Sequence, residues 1–165
     1  MGAIDDCLQA NAEFVGRGDA AAVPVRPSRR LAIVTCMDCR LELTGALGLR
    51  SGDAHMIRNA GGVVTEDVIR SLTLSQALLG TREIMLIHHT NCGLLASSDD
   101  ALGEAIEDAI GSRPPFALSS FDDVEADVRR CLAVLNESPL IVHDQEIRGF
   151  VYDVETGQIS EVAPE

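Results

Sequence analysis

Two apolar runs, too short for helices and too continuous to face water, limit what this chain can fold into. Leu31-Ala32-Ile33-Val34-Thr35 and Ile84-Met85-Leu86-Ile87 are rich in β-branched residues and lack apolar–polar alternation. Each therefore reads as a strand covered on both faces. Each also stops at side chains of a different kind: Cys36-Met37-Asp38-Cys39-Arg40 follows the first run, and His88-His89-Thr90-Asn91-Cys92 follows the second. Strands buried on both faces belong to a parallel sheet, which delivers the residues beyond its carboxyl ends to a shared crevice.

The rest of the chain supplies the crossovers. Residues 4–17 carry Ile4, Leu8, Ala12 and Val15 at helical spacing, and residues 18–30, with two prolines and three arginines, read as a linker. A short helix is expected over 41–47 and a strand over 55–58, closed by Asn59-Ala60-Gly61-Gly62. Thr65 can cap a helix whose inner face is Val68, Ile69, Leu72 and Leu79, with Gly80 as its stop. A polar stretch over 97–100 leads into a helix ending near Ile110, before Gly111 and Pro114-Pro115. A second helix covers 121–135, with Val124, Val128, Leu132 and Leu135 on one face. Residues 140–142 read as a fourth strand, and 150–154 with 158–160 as a hairpin around Thr156-Gly157. The pattern predicts one α/β domain over 1–165, with 1–30 as an N-terminal helix and linker. Its sheet is mostly parallel, flanked by helices, and ends in an antiparallel strand or hairpin.

Composition narrows the partners. With no Trp, one Tyr and four Phe, the core must be aliphatic. A formal net charge of −13 opposes encounter with nucleic acid and with anionic membranes. No stretch approaches the roughly 20 apolar residues of a membrane span. Asp5 and Asp6 stand where a signal peptide wants basic and then apolar residues, so a cytoplasmic location is expected. In that compartment five cysteines read as metal ligands or buried thiols rather than disulfides.

The chemistry lies in the two motifs. His89 and Cys92 are three residues apart, a spacing at which one turn aims both at one point. A right-handed crossover can set Cys36 beside them. Cys36, His89 and Cys92 would form a Cys₂His zinc set whose fourth tetrahedral position is open. Two thiolates cancel the formal charge of zinc, so bound water is acidified less than in an all-imidazole site. Such a site gains from a neighbouring group that orients the solvent. In an extended segment Cys36, Asp38 and Arg40 project to one side. Arg40 can then hold Asp38 ionised by a paired hydrogen bond, leaving one carboxylate oxygen for the zinc-bound solvent.

The string Cys36-x-Asp38-x-Arg40 with His89-x-x-Cys92 resembles the β-class carbonic anhydrases, of the compact bacterial type. Arg58-Asn59-Ala60-Gly61 and Gly93 extend the resemblance across about residues 31–94. It implies a zinc lyase that hydrates carbon dioxide reversibly to bicarbonate and a proton by attack of zinc-bound hydroxide. It also implies an Asp38–Arg40 dyad and a homodimer or dimer-based tetramer with sites near subunit boundaries. In some members the aspartate swings onto zinc at lower pH. Cys39 stands where Ala or Ser is usual in the family, and Asn91 where Asp is common.

Other readings compete. Hydrolysis of carbonyl sulfide or carbon disulfide needs the same zinc site. Cys36 and Cys39 form a CxxC that, with His89 and Cys92, would close a non-catalytic Cys₃His site, or would act as a redox pair. His88 should face away from His89 as a core or interface histidine. His55 and His143 are lone strand-edge histidines, and Cys131 reads as a small core residue. No phosphate-cradling glycine motif is present.

Overall fold

The two apolar runs lie side by side in the computed structural model, which describes residues 2–17, 22–144 and 146–163. Strand β1 (Leu31–Cys36) pairs in parallel with β3 (Glu83–His89), setting Leu31 opposite Glu83 and Thr35 opposite Ile87. On its other side β1 pairs in parallel with β2 (Ala54–Asn59), with Cys36 opposite Asn59. Strand β4 (Ile147–Tyr152) lies parallel to β3, and β5 (Ile159–Val162) closes that edge antiparallel to β4. The sheet order is β2-β1-β3-β4-β5. The chain leaves β1 in one direction to form β2, then crosses back to form β3. The winding therefore reverses between β1 and β3, where an open α/β sheet has its crevice.

Apolar layers cover both faces, one built from helices and the other from loops around the short helix α2 (Leu43–Ala46). On one, Ala32 and Val34 of β1 and Ile84 and Leu86 of β3 meet Val68 and Leu72 of α3 (Glu66–Ala77). Val128, Leu132 and Leu135 of α5 (Val124–Glu137) complete that layer. On the other face Ile33, Ile87, Phe150 and Tyr152 pack with Leu41, Leu43 and Phe121. Each large aliphatic side chain so buried contributes about 1.5–3 kcal/mol. Thr65, Ser98 and Asp123 cap α3, α4 (Asp99–Ile110) and α5 through their side-chain oxygens, and Gly111 ends α4 in the left-handed conformation. The linker expected over 18–30 forms no helix or strand over 22–30; residues 18–21 lie outside the described residues.

Residues 140–142 do not form a strand. Gln76 of α3 takes the backbone groups that a neighbouring strand would need. Its Oε1 accepts from the Val142 and His143 amides at 3.0 and 3.1 Å, and its Nε2 donates to the His143 carbonyl at 2.9 Å. Ile141 is buried as a plug while Leu140 and Val142 stay exposed. The fourth parallel strand is β4, which begins three residues before the 150–154 stretch expected to serve only as a hairpin arm. It pairs with β3 on one side and β5 on the other.

Strand alternation points His88 away from His89. His88 is fully buried against α5, with Nε2 2.8 Å from Asp127 Oδ2, while Arg130 Nε donates to Asp127 Oδ1 at 2.8 Å. Burial works against the Asp127 carboxylate, but His88 and Arg130 outweigh it and hold its pKa below the ordinary range. Removing one member of a buried, hydrogen-bonded pair strands the other. Asp127→Ala is expected to lose about 3 kcal/mol of stability, read as a lowered urea midpoint, with Cys131→Ala costing less. Equal midpoints for Asp127→Ala and the unaltered chain would contradict this.

Candidate metal centre

Cys36 is the last residue of β1, and its position is fixed from three sides. Met37 N–H donates to the Asn59 carbonyl at 2.7 Å, continuing the β1–β2 ladder past the strand end. Arg58 reaches over from β2, donating from Nε to the Cys36 carbonyl at 2.9 Å and from Nη2 to the Asp38 carbonyl at 2.7 Å. The third contact is backbone on backbone. Gly62 sits at φ +73°, and a Cβ there would lie 2.8 Å from the Cys36 amide nitrogen. Only glycine allows this approach. The backbone amides of Asp38 and Gly61 lie toward the Cys36 sulfur and favour its ionised form.

His89 ends β3 on the face opposite His88. Its Nδ1 lies 2.9 Å from the Thr90 carbonyl oxygen, an acceptor only, so the proton sits on Nδ1 and Nε2 offers a lone pair. Nε2 is buried and has no hydrogen-bond partner. The turn that follows passes through Asn91 at φ +54°, a left-handed conformation that Asn tolerates, and returns Cys92 toward His89. Cys36, His89 and Cys92 are all buried, and their donor atoms lie within 4.8 Å of one another. One zinc ion with bonds of roughly 2.0–2.3 Å spans such a set.

The charges of the three are mutually unsettled. A hydrogen bond from the Cys92 thiol is the largest influence on Cys36 and, with His89 and two amides, holds it below the ordinary thiol range despite burial. Cys92 moves upward, because it gives its proton toward the Cys36 thiolate and because it is buried. Burial opposes a charge on His89, yet the neighbouring Cys36 sulfur, the Thr90 carbonyl and Asp38 together raise its pKa. Sulfur, sulfur and an orphaned imidazole nitrogen converging away from water form a donor set that fits a borderline-soft cation.

Asp38 and Arg40 meet, but by a turn rather than by extended alternation. Leu41 N–H closes onto the Asp38 carbonyl at 3.2 Å, and Arg40 N–H donates to Asp38 Oδ1 at 2.9 Å. The Arg40 guanidinium then engages both oxygens, Nε to Oδ1 at 2.9 Å and Nη2 to Oδ2 at 2.6 Å. These hydrogen bonds hold the Asp38 carboxyl well below the usual carboxylate range, so it is ionised throughout neutral pH. Asp38 Oδ2 lies 3.8 Å from His89 Nε2, beside the donor trio. Arg40 Nη2 also donates to the Asn91 carbonyl at 2.9 Å and so ties the two motifs together.

Cys39 is exposed and lies outside the convergent trio among the described residues. His55 Nδ1 pairs with Ser75 Oγ at 2.8 Å, away from the centre. The roles of the Arg58 clamp and the Asn91 carbonyl are not legible in the sequence, whereas the close backbone approach at Gly62 is one that the Asn59-Ala60-Gly61-Gly62 turn suggests. Both missed groups act on or through backbone, and an arginine on a strand and an asparagine in a turn carry no distinct pattern of their own.

With this geometry in place, the comparisons with known proteins agree. A family model for carbonic anhydrase matches residues 31–113. The chain is 48% identical to beta-carbonic anhydrase 1 of Mycobacterium tuberculosis over 164 residues, covering 99% of this chain and 100% of that protein. It is 35% identical to a carbon disulfide hydrolase of Acidithiobacillus thiooxidans, covering 80% of this chain and 76% of that protein. A crystal structure of carbonic anhydrase from Streptococcus mutans superposes with a TM-score of 0.94 at 44% identity, covering 99% of each chain. The chain belongs to the β-carbonic anhydrase family.

Proposed function

We propose that this protein catalyses the reversible hydration of carbon dioxide to bicarbonate and a proton, with zinc held by Cys36, His89 and Cys92. The observation that carries the reading is the convergence of three buried donor atoms beside an ionised Asp38 that Arg40 fixes in place. When bound, zinc supplies the Lewis acidity that makes water a nucleophile near neutral pH. The chain's own residues do the rest. Asp38 is an acceptor only, so it aligns the O–H of an attacking water and leaves that oxygen's lone pair for the substrate carbon. Arg40 denies Asp38 the freedom to rotate and keeps it from taking up a proton. Thr90, through its carbonyl, keeps the His89 lone pair turned to the ion.

Carbon disulfide hydrolysis uses a substrate of the same linear shape, and proteins of that name match at lower identity over less of the chain. The full-length match at 48% identity favours carbon dioxide. The acidic surface supports neither nucleic-acid nor membrane binding, and no helix among the described residues is long and apolar enough to cross a membrane. Its cysteines are free, which suits the reducing cytoplasm. We further propose a homodimer or a dimer-based tetramer. Helix α1 (Ala3–Arg17) contains no buried residue, and its Ile4, Leu8 and Val15 are at least 64% exposed. An apolar helical stripe of this kind needs a cover, and a second copy provides one.

Stopped-flow hydration of carbon dioxide on zinc-loaded protein, with carbon disulfide turnover measured on the same sample, tests the activity. Rapid hydration with negligible sulfide release is expected, and the opposite ranking would assign the sulfur substrate. Asp38→Asn should keep its zinc and lose about a hundredfold or more in kcat. Cys92→Ser should lose zinc, whereas Cys39→Ser should retain both zinc and activity; zinc loss from Cys39→Ser would sink the open site. In sedimentation velocity the unaltered chain should run as a dimer or larger, and Leu8→Glu should shift it toward the monomer.

A further inference from the structure

All thirteen basic residues of this chain are arginines, set against a net charge of −13. Most of them rest against carboxylates: Arg29 on Asp53, Arg70 on Asp67, Arg113 on Asp100, Arg129 on Glu125 and Arg148 on Glu161, besides the pairs already described. Arg26, Arg30 and Arg82 differ. Among the described residues their guanidinium groups make no hydrogen bond and no ion pair, and Arg50 is like them in this. Yet these three, without Arg50, line one cavity of about 390 Å³, together with Gln76 and His143. In so acidic a chain, three guanidinium groups that face one space and pair with no carboxylate stand apart from most of the other arginines.

The cavity lies at the amino end of the sheet. Arg30 immediately precedes β1, Arg82 immediately precedes β3, and the metal centre is at the other end of these strands, roughly 17 Å away along β1. Its walls are held firmly. The Arg30 carbonyl accepts from the amides of both Arg82 and Glu83, at 2.8 and 3.3 Å, so two of the arginines spring from directly joined backbone. Arg30 N–H in turn donates to the carbonyl of buried Pro27 at 3.0 Å. Arg30 itself sits at φ +53°, a conformation that favours glycine or asparagine and that persists only where the surroundings impose it. His143 is fixed by Gln76, which is 4% exposed and grips that loop with both its amide atoms. Glu83, Asp144 and Glu146 line an adjoining cavity with Arg82, and none of them pairs with it.

We propose that Arg26, Arg30, Arg82 and His143 form a binding site for an anion bearing a phosphoryl group. A monoanionic carboxylate occupies one guanidinium fork. A tetrahedral phosphate presents several oxygens and nearly two negative charges, which suits three forks at once. The overall acidity of the chain repels anions at long range, so only an anion that engages several of these groups together is retained. The volume exceeds that of a lone phosphate, which leaves room for the body of a phosphate monoester. The site is independent of the metal centre and of the reaction there.

The test uses the zinc-loaded full chain in a phosphate-free buffer at fixed ionic strength. Inorganic phosphate and glycerol 2-phosphate are titrated separately, followed by calorimetry and by ³¹P line broadening, with sodium chloride as the control. Saturable binding is expected for at least one of the two, with affinity about tenfold weaker in Arg82→Gln and in Arg26→Gln. Carbon dioxide hydration measured without phosphate should be unchanged in both variants. Tighter binding of the ester than of phosphate identifies a monoester as the ligand, and equal binding identifies free phosphate. Equal affinities in the variants and the unaltered chain would place the anion at the metal centre and overturn the proposal. An effect reproduced by chloride would reduce it to screening and overturn it equally. So would a change in sedimentation of the arginine variants without loss of phosphate binding, which would assign these side chains to a second copy of the chain.

Discussion

The parallel pairing of β1 with β3 is the constraint on which the rest depends. It places Thr35 opposite Ile87, so the chain beyond each strand emerges at the same height above the sheet. Three convergent donor side chains, from two segments far apart in sequence, can meet only if that register holds. A slip of one residue would send His89 to the α5 face and bring His88 to the site. The register is held by the aliphatic layers on both faces and by Thr35 itself. That residue is fully buried and donates from Oγ1 to the Ile87 carbonyl at 2.9 Å, across the same strand pair. The His88–Asp127 pair adds a polar lock on the other face. An imidazole turned toward the metal centre would leave Asp127 buried against Arg130 alone.

Charge placement follows from this frame. Around the metal centre every polar group that could wander is tied to backbone: Arg58 to two carbonyls, Arg40 to Asn91, His89 to Thr90. The His89 nitrogen that faces the donor set is the exception: Nε2 is buried without a hydrogen-bond partner, as are Asn59 Oδ1 and, on the other face, His88 Nδ1. A buried unpartnered nitrogen costs free energy in a folded protein. At His89 that cost falls where a cation would remove it, and the surrounding ties keep the imidazole from relaxing toward other partners.

The motifs and most of the strands were legible because their signals are local. Apolar continuity marks β1 and β3, the Thr65 cap marks α3, a polar stretch and Gly111 bound α4, and helical spacing of apolar residues marks α5. The Cys36–Asp38–Arg40 spacing marked the dyad even though its geometry is a turn and not an extended segment. What escaped was decided by tertiary competition. Residues 140–142 have strand composition, but Gln76, distant in sequence, binds the backbone groups they would have offered a neighbour. Strand β4 was read as a hairpin arm alone because Gly149 and Arg148 dilute its apolar pattern. The glycine is there because a Cβ would clash with Val128 of α5. The same limit applies to Arg58, whose role depends on which backbone happens to lie within reach.

Cys39 shows what tertiary geometry adds to a CxxC string that the sequence already favours reading as part of an open site. A CxxC closes on a metal when the intervening chain curls so that both sulfurs face inward. Here the curl exists, since Leu41 N–H reaches back to the Asp38 carbonyl. The residue it turns inward, however, is Asp38. Arg40 grips the Asp38 side chain through its backbone amide and its guanidinium alike, which fixes the rotation of the turn. With Asp38 beside His89, Cys39 is left facing solvent, and the fourth side of the donor set stays free of a third sulfur. The dyad thus does two things with one set of hydrogen bonds. It presents an ionised acceptor to the centre and withholds the thiolate that would have closed it.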